Sequence, residues 1–160
     1  MRSPLLLWVV AGALVLLHFL LHVGLGLGPE APDLLTVALL LAARHVEEGA
    51  AAGVGLFLGL LEDSLSVLSF GANAVALTLV GMLGAMTRDL FVGDSRLFLV
   101  SYFLLGKWVR DLVSWLMVGE TIRGPFVDQM LVQSGLASLY AAAVGLLVMA
   151  LTGLWRDTEA

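Results

Sequence analysis

The chain has 160 residues, 60% of them hydrophobic and 13% charged, with a mean hydropathy of +1.01, whereas a soluble domain is about 45–50% apolar and about 25% charged. So few ionisable groups could not cover a globule of this size in water, and residues 1–160 read as a single integral membrane domain. The net charge of −5 is spread thinly, with no run longer than a pair, which excludes a nucleic-acid surface, and the absence of cysteine excludes disulfides and thiolate metal sites.

A helix needs about 20 apolar residues to cross about 30 Å of hydrocarbon. Leu5 to Leu27 meets that length and stops at Gly28-Pro29. The stretch is longer than the apolar part of a signal peptide, about 7–15 residues, and Gly24 to Pro29 offers no A-x-A cleavage site, so it reads as a retained first helix. His18 and His22 stand one turn apart on it. A metal would need a further ligand that no motif supplies, so the pair reads as structural.

Three shorter apolar stretches follow, Asp33–Ala43, Gly49–Leu61 and Ala72–Met86. Backbone amides cannot stay unpaired in lipid, so these too read as helices. Whether the second and third cross fully or form a shallow hairpin is left open. The third carries Ala51-x3-Gly55-x3-Gly59. Small residues every four positions open a groove for a close-packed helix, either a neighbour in the chain or one from another protein. Gly81 and Ala85 repeat the pattern more weakly on the fourth.

The fifth helix, Leu97 to Val118, places Lys107, Arg110, Asp111 and Ser114 on one face. A charge at the bilayer centre costs about 2.5–3.5 kcal/mol on insertion scales, so these side chains need partners. Lys107 and Asp111 can pair with each other, which leaves Arg110 to find a carboxylate on another helix. Glu62 and Asp63, at the outer end of the third helix, are within geometric reach. The expectation is a buried polar network of Glu62, Asp63, Lys107, Arg110 and Asp111, acting either as a functional site or as glue between helices. A sixth helix runs from Val132 to Trp155 after the breaker Gly124-Pro125.

Six helices put both termini on one side. With that side cytoplasmic, Arg2, Arg44, Arg88, Arg96 and Arg156 lie inside and only Arg123 outside, as the positive-inside rule requires. The fold class expected is therefore all-α, a polytopic bundle of six transmembrane helices. No nucleophile elbow, zinc-protease motif or phosphate loop occurs, and no cofactor is implied. The chain reads as a non-enzyme.

Residues 32 to 86 carry a family resemblance. Pro32-Asp33-Leu34-Leu35 is followed by Arg44-His45, then by Gly53-x-Gly55-x3-Gly59-Leu60-Leu61-Glu62-Asp63, then by Phe70-Gly71-Ala72-Asn73. This order resembles MreD, a family of small membrane proteins of the bacterial rod-shape system, in which a G-x3-D helix precedes a leucine-glycine-like pair. Gly59 and Asp63 match the first element, and Phe70-Gly71 the second. Asp111 and Trp115 match a looser pattern on the fifth helix, while the basic Lys107 and Arg110 beside them depart from it.

The resemblance implies a non-enzymatic scaffold of the cell-elongation complex in the bacterial cytoplasmic membrane. Its direct partner would be MreC, which has one membrane helix. Through MreC it would reach penicillin-binding protein PBP2, RodA and MreB, and so support peptidoglycan synthesis and cell shape. The groove of Ala51, Gly55 and Gly59, with Gly71 and Asn73, is the expected interface for packing or for the partner. Homodimerisation is left open. The short second and third helices also resemble the six-helix substrate-binding subunits of energy-coupling-factor vitamin transporters. That gives an alternative function, capture of a small molecule in a polar cavity near the outer surface.

Overall fold

A computed structural model describes residues 4–27, 31–65, 70–88, 96–119 and 123–153. Among them the secondary structure is helical throughout, with six α-helices: α1 (Pro4–Phe19), α2 (Leu34–Ala43), α3 (Glu48–Ser64), α4 (Ala72–Arg88), α5 (Arg96–Met117) and α6 (Ser134–Thr152). π-helical turns extend α1 through Leu20–Gly24 and precede α6 at Val127–Gln133. Counted with those turns, Leu5–Gly24 and Val127–Thr152 are the two helices long and apolar enough to cross a membrane. Helix α5 has the length, at 22 residues, but carries four charged residues, Arg96, Lys107, Arg110 and Asp111. Trp155, the expected end of the sixth helix, lies outside the described residues, as do Arg2 and Arg156, expected on the inner side.

The two long apolar helices face outward. Only 22% of Leu5–Gly24 and 28% of Val127–Thr152 is buried, and residues such as Leu16, Leu20, Leu136, Leu147 and Leu151 are open. The core helix of a water-soluble protein would be mostly covered.

Helix α2 is the inverse case, since every one of its ten residues is buried. At about 1.5 Å per residue it is only about 15 Å long, half a bilayer. It touches all five other helices, which is why it can be apolar on every side. It is a short central rod sheathed by the others. Asp33 starts it, accepting a hydrogen bond from the Thr36 N–H at 3.0 Å while the Thr36 hydroxyl donates to its other oxygen at 2.7 Å.

Helices α3 and α4 run antiparallel with their backbones nearly touching. A Cβ on Gly59 would fall 2.6 Å from the Asn73 carbonyl oxygen and 2.7 Å from the Ala74 nitrogen, and one on Gly55 would fall 2.7 Å from the Leu77 carbonyl carbon. From the other side, a Cβ on Gly81 would fall 3.0 Å from the Ala51 carbonyl carbon. The Ala51-Gly55-Gly59 groove is therefore filled by α4 of the same chain. It is not open to a helix of another protein, because no second backbone can occupy that space. On the far side of the bundle Gly145 of α6 takes the ring of Phe103 in the same way.

Candidate polar site at one end of the bundle

Alternating helix direction brings together the starts of α2, α4 and α6, the end of α3 and the last third of α5. Arg110 is the hub and is itself buried. Its Nη1 donates to Asp33 and, at 3.1 Å, to the Thr36 hydroxyl. Its Nη2 donates to Glu62, at 2.6 Å to Oε1, and more weakly to Asn73 Oδ1 at 3.4 Å. One guanidinium thus ties α5 to α2, α3 and α4, using a planar fork that presents several donors at once.

Lys107 sits one turn below. It pairs with Asp111 and lies 3.4 Å from Asp33. Asp111 also accepts from the Ser134 hydroxyl at 2.9 Å, which brings in α6. The result is a continuous chain of charges, Glu62–Arg110–Asp33–Lys107–Asp111, of three carboxylates and two cations. The cluster carries one negative charge more than its own cations balance.

Asp63 belongs to a different unit. One residue on from Glu62, about 100° around the helix, it is fully buried and turns toward α4. Its carboxylate accepts from the backbone N–H groups of Gly71 (3.0 Å), Asn73 (3.2 Å) and Ala74 (2.9 Å). It therefore caps the N-terminus of α4, where orphan donors and the helix dipole both favour an anion. Gly71 reaches this cap with a φ of +94°, a conformation a side chain would disfavour. Of the two acids expected within reach of Arg110, Glu62 pairs with it and Asp63 does not, and a further acid on the guanidinium is Asp33.

Asp33, Thr36 and Ser134 were not among the expected members. Asp33-x-x-Thr36 carries a helix-start signal, but only the packing of α2 against α5 brings it to Arg110. Asn73, expected at an interface, serves the cluster through its side chain and the α4 cap through its N–H.

Beyond Asp111 lies an open cavity of about 380 Å³, walled by α5, the π-helical turn and α6. Arg123 stands over the Trp115 ring at 4.4 Å, its Nη2 held by the carbonyls of Leu116 (2.9 Å) and Val118 (3.0 Å). Trp115 Nε1 donates to the Gly124 carbonyl at 3.2 Å, and Gln129 Oε1 accepts from the Gly124 N–H at 3.0 Å. The Ser114 hydroxyl and the Arg123 Nε are buried with no hydrogen-bond partner among the described residues. His18 is buried and stacked on His22 at 4.0 Å, and no group of three or more potential metal ligands occurs among the described residues. Compared with known families, curated proteins and solved structures, the chain matches none of them.

Proposed function

We propose that this chain is a multi-pass protein of the bacterial cytoplasmic membrane and a non-enzymatic scaffold of the MreD type, binding MreC within the cell-elongation complex. One observation carries the reading. The two sequence elements on which the resemblance rests are a single physical unit: Gly59 lets α4 approach, and Asp63 caps α4 through Gly71. A G-x3-D helix followed by a leucine-glycine-like pair suits such a joint, and this supports the resemblance.

Membrane residence is supported by the open apolar faces of α1 and α6 and by charges turned inward onto one another. Six helices with both ends cytoplasmic fit the distribution of arginines. Partner binding falls to the outer surface, because the glycine seam is filled. The groove between α4 and α5, about 510 Å³ and lined by residues such as Leu83, Phe98, Leu105 and Val109, offers a membrane helix a concave apolar seat.

The test is recovery of the tagged chain from solubilised membranes with identification of what co-elutes. MreC in the eluate, and its loss on Leu105→Trp with the chain still inserted, is the expected result. An eluate without MreC overturns the reading. The cavity beside Asp111 favours a second reading, substrate capture for a transporter, and an ATPase module in the same eluate would identify it.

A further inference from the structure

We infer that the cavity between α5 and α6 binds a small zwitterion, its ammonium group toward Asp111 and Ser114 and its oxyanion toward Arg123. The site is independent of whether the chain scaffolds MreC, and four observations on the protein itself specify the ligand.

The first is charge. Three carboxylates meet two cations in the buried chain of ion pairs, and Asp111 is the member that lines the cavity. An anion in excess in surroundings of low dielectric favours a cation more strongly than it would in water. The second is an unmet hydroxyl. The Ser114 residue is only half-buried, but its Oγ, one turn from Asp111 on the same wall, is covered and without a partner, and a hydroxyl can accept an N–H that a bare metal ion or a quaternary amine lacks. A primary ammonium satisfies both groups.

The third is the opposite pole. Arg123 is fixed by two carbonyls and by the Trp115 ring, yet its Nε is buried without an acceptor. A lone cation would be repelled there, whereas an oxyanion in the cavity is attracted to the guanidinium. The fourth is size and spacing. A volume of about 380 Å³ lies at the small end of ligand sites, which begin at about 300 Å³. Asp111 is six residues before the end of α5, about 9 Å along the axis from that end, beyond which Arg123 stands. The amine therefore lies toward the Asp111 end and the oxyanion toward the Arg123 end.

The same chemistry is offered by a free solute and by the head group of an aminophospholipid. The intact chain in detergent micelles is titrated with phosphoethanolamine, ethanolamine and inorganic phosphate. In parallel, native mass spectrometry compares retention of phosphatidylethanolamine with that of phosphatidylglycerol. Phosphoethanolamine is expected to bind at least about tenfold more tightly than either of its halves, with Arg123→Gln reducing it to the level of ethanolamine and Ser114→Ala weakening both amines. Selective retention of the amino lipid, abolished by the same two variants, would identify the lipid as the source. Saturable binding of phosphoethanolamine alone would identify a solute.

Equal binding of all probes, no binding of either zwitterion, or retention unaffected by both variants overturns the inference. If either variant fails to fold, the contrast among probes on the unaltered chain decides.

Discussion

The α3–α4 seam and the polar end of α5 join helices by opposite means. In the seam, side chains are missing: Gly55, Gly59 and Gly81 let main chain meet main chain, and the gain is close dispersion contact. At the end of α5, side chains are long and charged, and one guanidinium spans the gaps among four helices. In the bilayer proposed for this chain, lipid would supply no hydrophobic drive between helices, so association would rest on either shape or polar contact. Shape depends on a few hydrogen atoms and tolerates no addition. The polar cluster tolerates no subtraction.

The largest effect is therefore expected from Arg110→Met. Asp33 and Glu62 would stay largely covered with their shared cation gone and only Lys107 left beside Asp33, and breaking a buried pair costs about 3–5 kcal/mol. Unfolding in a graded detergent series should show a loss of that order. Adding Asp33→Asn and Glu62→Gln to the same chain should restore much of it, because the whole set is then neutral at that corner. A triple variant no more stable than Arg110→Met would mean that the cluster holds the bundle by shape, as the seam does.

Next comes Gly59→Leu. Its Cβ alone would lie within 2.7 Å of the Ala74 nitrogen, so α4 must move. Overpacking costs about 1–3 kcal/mol where side chains can adjust, and the obstacle here is backbone, so about 3 kcal/mol is expected. Gly53 on the same helix has nothing within 4 Å of its would-be Cβ and is exposed. Gly53→Leu should change the unfolding midpoint hardly at all. Equal effects at both positions would break the distinction between the filled seam and the open face.

Asp63→Ala probes the joint where the two styles meet. It leaves three N–H donors at the start of α4 without the acceptor they share, and loss of an N-terminal cap costs about 0.5–2 kcal/mol. Hydrogen exchange should quicken at Gly71, Asn73 and Ala74 while the amides of α5 keep their protection. Quickened exchange at α5 would show that the cap and the Arg110 cluster open as one unit.

Much of this architecture was readable from apolar run lengths. The first five helices begin within a residue or two of the expected positions, since Pro, Gly and charge mark their limits. The sixth begins helically five residues early, at Val127, because Asp128, Gln129 and Gln133 interrupt the apolar pattern while the backbone continues as a π-helical turn. Lys107 and Asp111 pair as their spacing implies. Asp33 was not assignable to Arg110, as 77 positions separate them and only the antiparallel course of α2 beside α5 makes them neighbours. The division of labour between Glu62 and Asp63 follows from rotation about the α3 axis, but which neighbour each faces is set by tertiary packing. The glycine stripe marked a close approach correctly; nothing local says whose backbone arrives.

The smallest predicted effect concerns Tyr102, which combines the two styles in one side chain. Its ring packs edge-on against Phe103 within the apolar core, and its hydroxyl donates to the Leu40 carbonyl at 2.9 Å, with the Gly84 carbonyl at 3.3 Å. Both acceptors already belong to helices, so Tyr102→Phe leaves no donor stranded and keeps the ring. Polar contacts between membrane helices average about 0.6 kcal/mol, and a loss of that size is expected in the same detergent series. A loss nearer that of Arg110→Met would mean that the α2 and α4 carbonyls depend on this hydroxyl. The dry half of the bundle would then also be held by polar contact, and the contrast between its two regions would be one of degree.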